Sequence, residues 1–377
     1  MEPIHDANDQ SHHGGACMSY IKRQTWTKAE RFSLYVHISL FAMFGCMIRL
    51  GVDYMMGKDA AGLEKSSSVI FVSFFANMFG CFCLGMLTAS PLTKGGRYSV
   101  LHTGISTGLC GSITTYSRWN QHVSLLFLTE ASASSTPQVV AIVSMVVGLE
   151  TTIASLTFGN DVMKMLTKRF AARGRRSIET ISMSQEHNCN VALECESIER
   201  VARTKPIKST LPLTLTLVML MCTLCAFVVA FIGASNKTAF AVMLSILFAP
   251  FGAGLRFALS PMNQRHKLPL GTLLVNALGS TLVALTHVLQ MWGQLNCAGQ
   301  GVATAFSSGF AACLTTVSTF MSEVDAKRKK GDAKGAYWYV LLTFFICQIL
   351  GLTINGTSNV FLSHTYKNDT FVSQDSC

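Results

Sequence analysis

Along the chain, apolar stretches long enough to cross a bilayer alternate with short polar turns. A membrane-spanning α-helix needs about 20 apolar residues. Nine such stretches lie near 33–56, 69–90, 98–128, 138–158, 212–234, 238–260, 269–291, 300–323 and 337–354. The third and eighth are interrupted by Gly, Thr and Ser, in "GSITTYSRWN" (111–120) and "ACLTTVSTFM" (312–321), and predict broken helices. Residues from about 160 to 210 carry both signs of charge with no sustained apolar period, which predicts a flexible linker. The pattern as a whole predicts an all-α membrane protein with nine transmembrane helices.

The two interrupted stretches belong to a longer internal repeat. "GCMIR" (45–49) matches "GAGLR" (252–256), "NMFG" (77–80) matches "NALG" (276–279), and "GLCGSITTYSRW" (108–119) matches "GFAACLTTVSTF" (309–320). Order and register are kept. The expected organisation is an N-terminal tail (1–32), a first four-helix repeat (33–158), a linker (159–211), a single linking helix (212–234), a second four-helix repeat (235–362) and a C-terminal tail (363–377). The odd linking helix makes the second repeat start on the opposite side of the membrane, so the repeats are inverted.

Composition and charge agree with a membrane protein and orient it. Half of the residues are hydrophobic, mean hydropathy is +0.38, and 13% are charged, against about 25% in soluble domains. The first thirty residues are polar and predict no cleaved signal peptide. Of the 30 Lys and Arg residues, Arg49, Arg118 and Arg256 lie within or at the ends of spans; of the rest, a cytoplasmic N-terminus places 23 inside and only Lys58, Lys65, Lys237 and Lys367 outside. That asymmetry predicts a cytoplasmic N-terminus and linker and an extracellular C-terminus. The sequons at Asn355 and Asn368 then face outward. The 13 cysteines show no metal-binding spacing. Cys222 and Cys225 lie in an apolar run and read as buried small residues, and His5, His12 and His13 as part of a solvated tail. No nucleotide-binding loop is visible.

The duplicated polar residues are the candidate chemistry. Asn77 and Asn276 sit mid-span, as interhelical glue or as neutral donors that replace water around a small anion. Thr115, Ser117, Thr316 and Ser318 weaken the two helices, and non-helical backbone at this depth must be buried or line a cavity. Tyr116 and Trp119 share a helix face, and Val317 and Phe320 hold the equivalent places. Such rings serve as core packing or present positive edges to an anion. Arg49 and Arg256 are costly inside a span; they either snorkel or attract anions to a vestibule. Glu323 has no acidic counterpart in the first repeat, where His122 stands. Gly104 and Gly108 form a GxxxG packing pattern.

These motifs in this order resemble the fluoride channel and exporter family: the bacterial Fluc (CrcB) proteins and their eukaryotic tandem form, FEX. The resemblance covers both repeats and implies passive, selective fluoride export at the plasma membrane, without catalysis or an organic cofactor. It implies that one chain forms an antiparallel pseudo-dimer and acts as a monomer. The fluoride pathway would use Asn77, Asn276, Tyr116, Phe320, Thr115, Ser117, Thr316 and Ser318, with Arg49, Arg256 and Glu323 in vestibules. Pairing Tyr116 with Phe320 gives one working pore; pairing Trp119 with Val317, which lacks a ring, gives a vestigial one. A central structural Na⁺ would be held by the backbone carbonyls of Gly111, Thr114, Ala312 and Thr315, with Ala312 departing from the family's glycine. An ion-coupled secondary transporter built from the same inverted repeats is the alternative, with Glu323 and His122 as proton-carrying candidates.

Overall fold

Helices occupy all nine apolar stretches. The computed structural model describes residues 28–366 except 58–59, 65–66, 91–98, 131–135, 185–210, 233–236, 265 and 293–294. The first repeat comprises α1 (Lys28–Met56), α2 (Phe74–Ala89), α3 (Ser99–Thr103, continued by a π-helical stretch Gly104–Cys110 and a turn Gly111–Ile113), α4 (Tyr116–Leu128) and α5 (Pro137–Ser184). The linking helix is α6 (Leu211–Ile232). The second repeat comprises α7 (Lys237–Leu259), α8 (Leu270–Met291), α9 (Cys297–Ala305, continued by a π-helical stretch Phe306–Ala311 and a turn Ala312–Leu314), α10 (Ser318–Lys329) and α11 (Ala333–Tyr366). Among the described residues, six candidate spans are long and apolar enough to cross a membrane, and α2 is a shorter apolar helix of 16 residues.

The repeats interlock reciprocally. In the first repeat α4 packs on α8 and α11 of the second, while α10 packs on α2 and α5 of the first. The two leading helices, α1 and α7, meet through Ile38, Ala42, Met43 and Cys46 against Ile246, Ala249 and Ala253. Small residues permit the closest crossings. A Cβ built on Gly85 of α2 would lie 2.0 Å from the Leu156 carbonyl of α5, and one on Gly159 would lie 2.1 Å from that of Phe82.

Three expectations need correction. The linker expected from residue 159 is helical as far as Ser184 as a continuation of α5. Its residues 161–172 are mostly good helix formers, and mixed charge satisfies a helix as readily as a coil. Asn355 is not a free glycosylation acceptor: it lies within α11, is 2% exposed, and its side chain pairs reciprocally with Gln121 of α4 (3.0 and 3.2 Å). Cys225 is exposed and Cys222 only half-buried, because α6 packs mainly against α1 and α7. The tails, Asn368 and the N-terminal histidines lie outside the described residues.

Candidate ion pathway

The two broken helices meet at the centre of the molecule. Each carries a π-helical stretch before its break, a widened turn common at functional sites. Each then opens at a Thr-Thr pair. Thr114 (φ −87°, ψ 147°), Thr115 (φ −144°, ψ 127°) and Thr315 (φ −82°, ψ 160°) are extended, a conformation that suits β-branched residues. The motif glycines bring other helices onto these breaks. A Cβ on Gly45 or Gly252, the first residue of each GxxxR, would lie 2.6 Å from the Leu109 carbonyl or 2.2 Å from that of Phe310. A Cβ on Gly80 or Gly279, the last residue of each NxxG, would meet the methyl of Thr114 or Thr315 at 2.5 or 2.3 Å.

Restarting a helix in mid-membrane leaves its first N–H groups without partners. Here each repeat caps the other. The Thr315 hydroxyl accepts from the N–H groups of Tyr116 and Ser117, both at 3.2 Å, at the start of α4. The Thr114 hydroxyl accepts from Val317 (3.3 Å) and Ser318 (3.2 Å), at the start of α10. The two hydroxyls donate back to Ala312 and Cys110 carbonyls, each at 3.2 Å. Thr115 and Ser117 cluster around Thr315, and Thr316 and Ser318 around Thr114, at 3.0–3.2 Å. Thr114→Val keeps the volume but leaves two buried N–H groups unpaired. It is expected to cost about 2 kcal/mol or more, read as a lower melting temperature in detergent. Thr157→Val serves as the control, since that hydroxyl bonds only to its own helix.

The asparagines act on the same backbone. Asn77 accepts from the Thr115 N–H (2.7 Å) and donates to the Thr115 carbonyl (3.1 Å). Asn276 makes the same pair with Thr316 (2.9 and 3.2 Å). Each amide thus takes the place of a missing peptide partner at the break, the gluing role that the sequence left open.

Arg49 and Arg256 are not in open vestibules; both are buried, at 0% and 5% exposure. Arg49 donates to the Ser308 carbonyl and lies against the sulfurs of Cys46 (3.3 Å) and Cys313 (3.6 Å). Arg256 donates to the carbonyls of Thr107, Gly111 (2.7 Å) and Thr315 (2.9 Å). Short side-chain reach from a small-residue crossing lets both guanidiniums turn inward rather than snorkel. Two of the four carbonyls expected to hold Na⁺ are therefore bonded to Arg256, and the Ala312 carbonyl accepts from Thr315. The residues present do not fit a sodium cage.

The aromatics form one buried box. Tyr116 meets Phe320 edge-to-face (6.0 Å, 87°). Phe344 and Tyr339 of α11, which sequence reasoning missed, close it: Phe344 lies 5.5 Å from Tyr116, and Tyr339 lies edge-to-face with Phe320 at 5.0 Å. Trp119 stacks flat on Phe71 (5.2 Å, 4°), and a Cβ on Gly148 would lie 2.5 Å from its ring. Val317 is fully buried.

The repeat is equally visible to comparison. Residues 36–156 and 243–355, together more than half of the chain, each match the model for CrcB-like protein, Camphor Resistance (CrcB). The chain belongs to the CrcB-like family. Among its relatives, Fluoride export protein 1 of Candida albicans is 26% identical over 90% of this chain and 85% of its own length. Fluoride export protein 1 of Neurospora crassa is 23% identical over 88% of this chain and 68% of its own. Fluoride-specific ion channel FluC 1 of Streptococcus pneumoniae is 38% identical over 25% of this chain and 78% of its own, consistent with one bacterial chain matching one repeat. No solved structure matches the chain.

Within this CrcB-like framework Arg118, Glu323 and His122 find partners that one sequence cannot show. Arg118 forms an ion pair with Asp53 of α1 (2.9 Å), which also accepts from Ser73 (2.9 Å). Arg118 also reaches the Ser308 hydroxyl. Glu323 accepts from Asn263 and Thr272 (2.8 Å each) and from Tyr339 (2.9 Å), so it is a junction between α8, α10 and α11. His122 lies 3.0 Å from the Ser68 carbonyl. A polar ladder joins α4 to α11 beside the aromatic box: Gln348 bonds to Asn120 (2.9 Å) and Ser124 (2.9 Å), and Asn355 to Gln121.

Proposed function

We propose that this CrcB-like chain is a passive channel that exports fluoride across the plasma membrane. Its nine spans form two inverted repeats within a monomer, with the N-terminus cytoplasmic and the C-terminus extracellular. The observation that carries the reading is the Tyr116–Phe320 edge-to-face pair set beside a buried cluster of neutral hydroxyls. The relatives named for fluoride export and fluoride-specific conduction supply the ion.

The arrangement does what a small, strongly hydrated anion requires. Hydroxyls replace lost water, and ring edges present partial positive charge. Neither is a fixed charge that would trap the ion. Efflux needs no ATP: HF enters as a neutral acid and dissociates, and an inside-negative potential drives the anion out with about 2.3 kcal/mol per 100 mV. Tyr116 and Phe320 line the working pore, flanked by the Asn120–Gln348 ladder. Trp119 is packed between Phe71 and Gly148 and also against Tyr116 (5.9 Å) and Phe344 (5.0 Å), and Val317 offers no ring, which supports reading the Trp119–Val317 pairing as a vestigial second pore.

Liposomes that hold the purified protein are expected to release fluoride, but not chloride, when a potassium ionophore relieves the opposing voltage. A fluoride electrode reads the release. Release that ignores the ionophore but follows an imposed proton gradient would overturn the channel reading in favour of coupled transport.

A further inference from the structure

We propose that the guanidinium of Arg256 is the resident cation at the crossing of the two broken helices, so that this chain needs no sodium ion there. The inference rests on the geometry of the breaks and not on the conduction reading. At the crossing, the first halves of both broken helices end at Ile113 and Leu314, so two helix C-termini face the centre. Each carries about half a negative charge, and a single positive charge balances the two. Arg256 supplies it. One of its nitrogens bridges the repeats, donating to Gly111 of the first (2.7 Å) and Thr315 of the second (2.9 Å), and another reaches Thr107.

The sequence explains why Arg256 holds the centre and Arg49, its repeat-related counterpart, does not. The two arginines make one matching contact each: Arg256 to the Thr107 carbonyl, Arg49 to that of Ser308. Beyond it their paths differ. A Cβ on Gly111 would lie 2.5 Å from the Arg256 guanidinium, so the approach exists only because this residue is glycine. The matching residue in the second repeat is Ala312, and by repeat symmetry its methyl would stand in the equivalent approach. Arg49 stops at Ser308 and the sulfurs of Cys46 and Cys313. The Gly111/Ala312 difference therefore selects which of two like charges is central, and a second cation beside Arg256 would meet repulsion.

The test is the melting temperature of the full-length protein in detergent, with Na⁺ exchanged for N-methylglucamine at constant ionic strength, alongside fluoride efflux in the same buffers. The wild type is expected to be indifferent to Na⁺ in both. Arg256→Ala is expected to melt lower and to regain stability with added guanidinium ion. Gly111→Ala, which closes the approach, is expected to melt lower without rescue. A rise in the wild-type melting temperature with Na⁺, or Arg256→Ala melting as the wild type does, overturns the proposal. The wild-type measurement decides even if the variants fail to fold, and the melting readout is independent of whether the protein conducts fluoride.

Discussion

Phe320→Ile is expected to lower fluoride efflux about thirtyfold, whereas Val317→Ala leaves it within about threefold of the wild type. Phe320 presents its ring at right angles to Tyr116 and Tyr339, and isoleucine fills similar volume with only aliphatic surface. Ring–ion contacts in dry sites reach about 2 kcal/mol. The positive ring edge acts on an anion with the same quadrupole, and about 2 kcal/mol at the barrier corresponds to that thirtyfold loss. Val317→Ala removes methyl groups from a buried position and costs about 1 kcal/mol of packing. Its main-chain bond to Thr114 stays. Efflux from liposomes, normalised to monodisperse protein, separates the two. Robust flux in Phe320→Ile with loss in Val317→Ala would assign the working pore to the Trp119–Val317 pairing.

Asn77→Asp and Asn276→Asp are both expected to abolish fluoride tolerance in host cells, by loss of the folded protein. Each amide donates to a threonine carbonyl at the break (3.1 and 3.2 Å). A carboxylate there places oxygen against oxygen, fully buried. An uncompensated buried charge costs about 3–5 kcal/mol, a large part of a typical stability of about 5–15 kcal/mol. The readout beyond tolerance is a lower melting temperature for both. Equal damage at the two sites is the signature of a backbone clamp. If one variant melted normally but failed to conduct while the other worked, the amides would be anion donors of a single pore, and the clamp reading would be wrong.

The positions of the helices, the two breaks and the repeat were legible in one sequence. Hydrophobic length reports the spans, and Thr-Thr flanked by small residues cannot hold a helix. Motif glycines were legible as a pattern but not as a purpose. Their packing against Leu109, Phe310, Thr114 and Thr315 depends on which helices cross. The extent of α5 was misread because a charged helix and a charged linker share a composition. Asn355 was misread because a sequon says nothing of burial.

What the tertiary structure alone decided is every partnership across the repeats. Thr114 caps α10 and Thr315 caps α4, some two hundred residues away, and no local pattern encodes which hydroxyl meets which N–H. Arg118 pairs with Asp53, and Phe344 and Tyr339 complete the aromatic box. The sequence by itself determined that two arginines, two asparagines and two broken helices exist in duplicate. The fold decided that Arg256, and not Arg49, bonds to both breaks, because Gly111 leaves room for a guanidinium.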